Sequence, residues 1–480
     1  MPNTPRTNSK LKVDNRNSAL LGDADAAIIG GGVVGCAVAR RLALAGISVI
    51  LLEKSADILD GASKGNSAIL HTGFDAPEGS LELACIRSGY SEYLKIRESL
   101  NLPLLKTGAL VAAWTSEEEE RFPNILAKAR NNGIDDLQLL SRQEVLVKEP
   151  AISANIRAAI AVPHEFVIDP WSAPLAYLSQ AVANGGQAVF NAEVKGGEFF
   201  GNHWMLHTSR GSVKATHVIN CAGLFGDLVD ADVLGQSEFT IKPRKGQFVV
   251  FDKAAGSLVR SIVLPVPTEL TKGIVIFPTI FGNLAVGPTA EEQESRSDAS
   301  VNQAILQKLH TQAVSQIPAL ANIPVTATYA GIRPATENKE YRVVENAERN
   351  WITLGGIRST GLTAALGLAQ YVHKLLEKQG AKFKSLYKPV VPSVPNLAEH
   401  LPRDWQTSGY GEIVCHCELV TEREICEALT SSIPAGNLDG LKRRTRVTMG
   451  RCQGFYCSAR LAELTEGKFA ESLDIGACHD

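Results

Sequence analysis

The first strong pattern in the chain is an apolar run, Ala26-Ala-Ile-Ile29, that ends in glycines and gives way to small and apolar residues at helical spacing from Val33 to Ala45. A second apolar run, Ile47-Ser-Val-Ile-Leu-Leu52, follows and stops at Glu53. The period changes from strand to helix and back to strand, which predicts a β-turn-α-β unit with a buried parallel sheet. Further on, Gln247-Phe-Val-Val-Phe251 and Ile274-Val-Ile-Phe-Pro278 predict strands, and Ala173–Ala183 predicts a helix. The region from about Leu81 to Val325 therefore reads as a mixed sheet with helices. His217-Val-Ile-Asn-Cys-Ala-Gly223 predicts one more strand of the first unit, running into a small-residue turn against which a ligand can sit. A late glycine-rich segment, Gly355-Gly-Ile-Arg-Ser-Thr-Gly361, leads into a helix from about Leu362 to Lys378.

The pattern breaks at both ends. The first 22 residues, rich in Asn, Ser and Lys, lack the apolar stretch of a secretory signal and read as a mobile lead, and Asp14 argues against a mitochondrial presequence. Between residues 386 and 411, Pro389, Pro392, Pro395 and Pro402 interrupt any periodicity, which predicts an extended linker and a domain boundary. The organisation expected is thus residues 1–22 as lead, 23–385 as one interleaved α/β unit, 386–411 as linker, and 412–480 as a short domain that depends on a metal centre.

At 480 residues, 45% apolar and 21% charged, the chain is an ordinary globular protein with more than one core. Its net charge of -3 gives no reason to expect nucleic acid, and no apolar run is long enough to span a membrane. Nine Cys, four of them in two close pairs, in a chain without an export signal, point to a reducing cytoplasmic compartment and a metal or cluster site.

The glycines carry the first chemistry. Gly30, Gly32 and Gly35 fit G-x-G-x-x-G: a tight turn, a close backbone approach to a pyrophosphate, and close packing of helix on strand. Glu53 stands where a carboxylate accepts hydrogen bonds from the ribose of an adenosine. Nicotinamide and flavin dinucleotides both suit this turn. The late glycine segment and its helix N-terminus have a job beside a flavin, where they stabilise the negative charge that develops on reduction.

The N-terminal unit, Gly61-Ala-Ser-Lys-Gly-Asn-Ser-Ala-Ile-Leu-His-Thr-Gly73 and Pro77-Glu-Gly-Ser-Leu81 together resemble FAD-dependent glycerol-3-phosphate oxidases and dehydrogenases and the related L-2-hydroxyglutarate dehydrogenases. Asp169-Pro-Trp171, Asn220-Cys-Ala-Gly223, Pro243-Arg-Lys-Gly246, Thr271-Lys-Gly273, Gly287-Pro-Thr-Ala290, Gly331-Ile-Arg-Pro334 and Gly355–Thr363 extend the resemblance over residues 25 to 380. It implies a D-amino-acid-oxidase-like α/β fold: an FAD-binding, Rossmann-like domain with a mixed-sheet substrate domain. It also implies flavin contacts from Gly30, Gly32, Gly35, Glu53, Ser63, Asn66, Ser67, Val194, Ala222, Gly223, Gly356, Thr360, Gly361, Leu362 and Thr363. In the resembled family the residue matching His71 lies beside the flavin, and an imidazole titrating near neutrality suits the base that takes the alcohol proton. Arg333 and Lys272 stand at family positions near the substrate, as anchors for its phosphate or carboxylate. Two departures leave the substrate open: Arg358 stands where many glycerol-3-phosphate oxidases carry Lys, and Glu165 where a small residue is expected. The remaining histidines, His164, His203, His207, His217, His310, His373, His400 and His479, have no motif around them, and Cys221 reads as a buried structural thiol.

Cys415-His-Cys417 and Cys452-Gln-Gly-Phe-Tyr-Cys457 form a C-x-C, C-x4-C set of soft ligands. Four thiolates suit a [2Fe-2S] cluster or structural Zn. The surrounding sequence resembles the bacterioferritin-associated-ferredoxin-like domain, which implies a small α-rich domain with a [2Fe-2S] cluster on Cys415, Cys417, Cys452 and Cys457. His416 is expected to point away from its neighbours, Cys426 to be a helix-buried thiol and Cys478 a tail thiol. The run Lys442-Arg-Arg-Thr-Arg446 reads as a site for an acidic partner, an offset to cluster charge, or a solvated helix face.

The expectation is an FAD and [2Fe-2S] dehydrogenase for glycerol 3-phosphate or a similar anionic secondary alcohol, cytoplasmic or peripheral at the inner membrane. Electrons would pass to a partner oxidoreductase subunit or a carrier. The rivals are a 2-hydroxy-acid or amino-acid dehydrogenase, a non-catalytic electron-transfer subunit, and a Zn-stapled flavoprotein.

Overall fold

The computed structural model describes residues 19–267, 273–470 and 473. The apolar run that opens the chain is the strand Leu20–Ile29, which starts inside the stretch expected to be lead. It lies between Val49–Leu52 and Gly211–Asn220, parallel to both, at the centre of an eight-stranded sheet. Trp351–Gly355 joins Gly211–Asn220 in parallel, so the carboxyl ends of four strands open at one edge. The helix Val33–Leu44 packs on one face with Ser172–Ala183 and Gly361–Lys378, their small residues filling the core beside Ile28, Leu51 and Ile352.

A nine-stranded sheet forms the second layer. Its longest strands, Ile241–Phe251 and Val325–Thr336, pair antiparallel, with Arg244 opposite Arg333 and Gly246 opposite Gly331. Between the layers a small sheet pairs Ile69–Leu70 with Phe166–Ile168, Leu70 opposite Phe166. One step further along this register brings His71 opposite Glu165.

Apart from the short turn Asp404–Gln406, the proline-rich segment carries no regular element, and it is fastened along its length. Leu386 N–H donates to the Leu44 carbonyl, Val390 N–H to Asn184 Oδ1, Val394 N–H to the Leu100 carbonyl and Glu399 N–H to the Ile280 carbonyl, with Val394, Leu397 and Ala398 buried. Prolines lack an N–H, so the residues between them supply these bonds.

The C-terminal domain consists of the hairpin Ile413–Cys415/Val420–Thr421 and the helices Glu422–Thr430, Leu438–Thr445 and Ser458–Thr465 around Val414, Ile425, Leu441, Val447 and Leu461. Thr421 and Glu424 cap its first helix reciprocally. The basic run corrects two of its readings: Arg443, Arg444 and Arg446 are buried, so they form no solvated face, and the carboxylates that Arg444 and Arg446 meet are the chain's own. Arg444 makes a bidentate pair with Asp57 at 2.8 Å on both arms, Arg443 donates to the Ile58 carbonyl, and Arg446 pairs with Glu418 at 2.8 Å. The guanidinium of Arg446 also lies 4.1 Å from the ring centre of Phe281, which stacks on Trp171. At Gly440 a methyl group would fall 1.6 Å from Asp57 Oδ2, so only glycine lets the two halves meet there. Sequence could not show this, because the carboxylate that desolvates the run lies nearly 400 positions away. Cys426 corrects a second expectation: it sits on the helix Glu422–Thr430 but faces outward. His416 is exposed beside buried Cys415, and Cys478 lies outside the described residues.

Candidate functional site

A cavity of about 1140 Å³ runs from the carboxyl edge of the eight-stranded sheet to the underside of the nine-stranded one. That exceeds the range that takes a single drug-sized ligand. At one end stand Gly30, Gly32, Glu53, Val194, Ala222 and Gly223. The helix Val33–Leu44 begins there on Gly32, which has no side chain to cap it; Ser63 Oγ takes the first N–H, and the rest of the positive end is left for an anion. Gly35 is the third residue of the helix and does not line the cavity. A methyl group on it would lie 2.0 Å from the Gly30 carbonyl, so its role is the close packing of helix on turn. Glu53 is buried, which raises its carboxyl above the usual range, while N–H groups of Gly31 and Ser55 at 2.6 and 2.8 Å pull it back.

The middle of the cavity is walled by Ser63, Asn66 and Ser67. Ser63 Oγ accepts from Val33 N–H, and Asn66 bridges its own loop by donating to the Ser63 carbonyl and accepting from Ala68 N–H. Gly356, Thr360, Gly361 and Leu362 close the far side, where the helix Gly361–Lys378 starts without a side-chain cap. Thr360 Oγ1 is committed inward, to Glu82 and Tyr341. Thr363 is off the wall: its Oγ1 accepts from His71 N–H and donates to the Ile69 carbonyl, tying the His71 backbone to the start of that helix.

His71 lines the cavity and its Nδ1 lies 2.9 Å from Glu165 Oε2. Glu165 is fully buried, and its other oxygen accepts from Thr72 N–H at 2.6 Å and Thr72 Oγ1 at 2.7 Å. Arg333 lines the same space, donating to the carbonyls of Thr289 and Lys245. Burial, with Arg244 and Arg358 nearby, pushes it down to about 10. It stays charged at neutral pH, and an anion in the cavity would relieve that crowding. Lys272 lies outside the described residues. Sequence reading missed the partnership of Glu165 with His71; the signal available was the alternation around Ile69 and Val167, which says nothing of which strands pair.

In the C-terminal domain the thiols of Cys417 and Cys452 are in contact, as are those of Cys415 and Cys457. N–H groups of Gly454, Phe455 and Tyr456 lower the Cys452 thiol, as donors to a thiolate do, whereas burial and Cys415 push Cys457 up to about 12. Among the described residues no three His, Cys, Asp or Glu side chains converge as ligands of a single ion. Two thiol pairs, one served by three backbone donors, fit a two-iron cluster.

A large cavity between a Rossmann-type glycine turn and a mixed sheet, with a histidine and arginines on its wall, fits a flavin oxidoreductase. The chain belongs to the FAD dependent oxidoreductase family, matched over residues 25–375, and carries a BFD-like [2Fe-2S] binding domain over residues 413–466. It is similar to a glycerol 3-phosphate dehydrogenase of Caloramator mitchellensis, 32% identical over 92% of this chain and 93% of that one. One subunit of an anaerobic glycerol-3-phosphate dehydrogenase of Haemophilus influenzae is 26% identical over 92% of this chain and 84% of its own length. The fold matches the FAD-bound, dithionite-reduced L-alpha-glycerophosphate oxidase of Mycoplasma pneumoniae with a TM-score of 0.71 at 26% identity, over 78% of this chain and 99% of that one. No helix among the described residues is long and apolar enough to cross a membrane.

Proposed function

We propose that the protein oxidises glycerol 3-phosphate to the ketone and passes the electrons through its C-terminal domain to a partner oxidoreductase subunit or a one-electron carrier. The observation that carries this reading is the cavity wall, which a histidine with a fixed ring shares with an arginine crowded by two others. Arg333 holds the phosphate, which sets the carbinol near His71, and Arg358 adds positive charge on the same wall. His71 Nδ1 is occupied by Glu165, so Nε2 is the atom left to take the hydroxyl proton. FAD, held by the glycine turn, Glu53 and the two helix starts, supplies the acceptor for the hydride; Cys415, Cys417, Cys452 and Cys457 hold the [2Fe-2S] cluster, which supplies one-electron relay. Such thiolates persist in a reducing compartment, which supports a cytoplasmic location.

The test is an anaerobic visible spectrum before and after adding glycerol 3-phosphate or L-2-hydroxyglutarate. Bleaching of flavin and cluster bands by glycerol 3-phosphate alone is expected; bleaching by the hydroxy acid alone would replace the substrate, and no bleaching by either would leave only an electron-transfer role. His71→Asn should slow flavin reduction by glycerol 3-phosphate by about 10²-fold or more.

A further inference from the structure

The resemblance that covers the flavin site gives no role to position 165, where this chain places a buried carboxylate. We propose that Glu165 is a positioning residue that sets the tautomer and aim of His71 and stabilises its protonated ring. This rests on the reading of His71 as the base. The sheet register makes the pair: Leu70 lies opposite Phe166, so the next residue on each strand, His71 and Glu165, face each other just past the paired segment. Each partner is then fixed from a second side. The His71 backbone is held by Thr363 Oγ1 at 3.0 Å, and Glu165 by both donors of Thr72, while the Glu165 carbonyl accepts from Thr107 Oγ1.

A carboxylate that already accepts two bonds from Thr72 has only acceptor capacity left for the imidazole. Nδ1 therefore carries hydrogen, and the lone pair sits on Nε2, toward the cavity. When Nε2 takes the hydroxyl proton, the imidazolium faces a buried negative charge 2.9 Å away, without rearrangement. Among the described residues Glu165 is the one carboxylate in ion-pair range of that ring. Other ionisable groups on the cavity wall include Asp75 from the loop before the helix Leu81–Ile96, Glu82 from that helix, Arg121 and Lys128 at and within the helix Phe122–Asn131, and Arg244, Arg333 and Arg358. Tyr90 lies behind Glu165 and donates to the His164 carbonyl.

The experiment compares wild type, Glu165→Gln, Glu165→Asp, His71→Asn and His71→Asn/Glu165→Gln as flavin- and cluster-loaded protein. It follows the rate of flavin reduction by glycerol 3-phosphate against pH. An amide can donate to Nδ1, which moves the ring hydrogen to Nε2, so Glu165→Gln should lower the rate by about 10² to 10⁴. Its alkaline-side plateau should be reached at lower pH, because loss of the carboxylate destabilises the imidazolium. Glu165→Asp should recover part of the rate, and adding Glu165→Gln to His71→Asn should cost little more. If Glu165→Gln fails to load flavin, Glu165→Asp and the pH profile carry the comparison. Wild-type rate and profile in Glu165→Gln, with His71→Asn slow, would overturn this proposal alone. Slow Glu165→Gln with an unmoved profile and additive behaviour with His71→Asn would also overturn it, as a merely structural effect. A wild-type rate in His71→Asn would remove the base itself.

Discussion

The contact between Asp57 and Arg444 should decide whether the cluster domain stays on the flavin domain, and Arg444→Met is the perturbation that tests it. Asp57 is fully buried, the Arg444 side chain is 4% exposed, and two hydrogen bonds of 2.8 Å join them. Arg444 also donates to the Ile433 and Gly440 carbonyls, so the substitution removes four donors. Asp57 keeps only backbone donors, the N–H groups of Ile58 and Gly436. Removing one partner of such a pair costs about 3–5 kcal/mol, because a buried charge is left without its counterion. At about 1.4 kcal/mol per factor of ten, the undocked population should rise by between two and three and a half powers of ten. Trypsin reads this out, since Arg403, buried against Glu424, lies in the segment that joins the domains and cleavage of an opening segment follows the open population. Arg444→Met should be cut far faster than wild type under native conditions. Adding Asp57→Leu should restore much of the protection, because an apolar pair of similar volume avoids the buried charge. Wild-type resistance in Arg444→Met would refute the reasoning and assign the docking to the remaining contacts.

Acid should loosen the same contact through Glu418, whose carboxyl lies below its ordinary 4.5 because Arg446 and Lys253 outweigh its burial. Its contribution is therefore present above that value and lost as pH falls through the depressed one; Glu418→Gln should remove this part of the acid dependence in thermal melts across pH 3 to 6. Glu53 and Asp169 are raised by burial and run the other way, so the difference between variant and wild type is the quantity to compare. Gly35→Ala should abolish flavin retention, since its methyl group would lie 2.0 Å from the Gly30 carbonyl; purified protein should lack the yellow chromophore. Cys452→Ser should lose most bound iron and sulfide by chemical assay while flavin content stays near wild type.

The glycine turn, Glu53, the late helix and the two cysteine pairs were legible because each depends on local spacing. G-x-G-x-x-G works only across one turn and one helix start, and C-x-C with C-x4-C needs only two short loops. Strand membership was readable in the same way for His217–Asn220 and Gln247–Phe251, where apolar side chains cover both faces. The basic run was misread for the complementary reason. Four cations within five residues look solvated until a carboxylate from a loop after the second strand is brought against them, and chain distance hides that. Glu165 looked like a departure at a small-residue position for the same reason. Local sequence by itself determined the two cofactor modules and their order. Tertiary structure alone decided which strands lie side by side, hence that Glu165 lies 2.9 Å from His71 Nδ1, and that Arg443, Arg444 and Arg446 are buried where the cluster domain meets the flavin domain. A buried charge is stable only beside its partner, and the partner is chosen by the fold rather than by its neighbours in the chain.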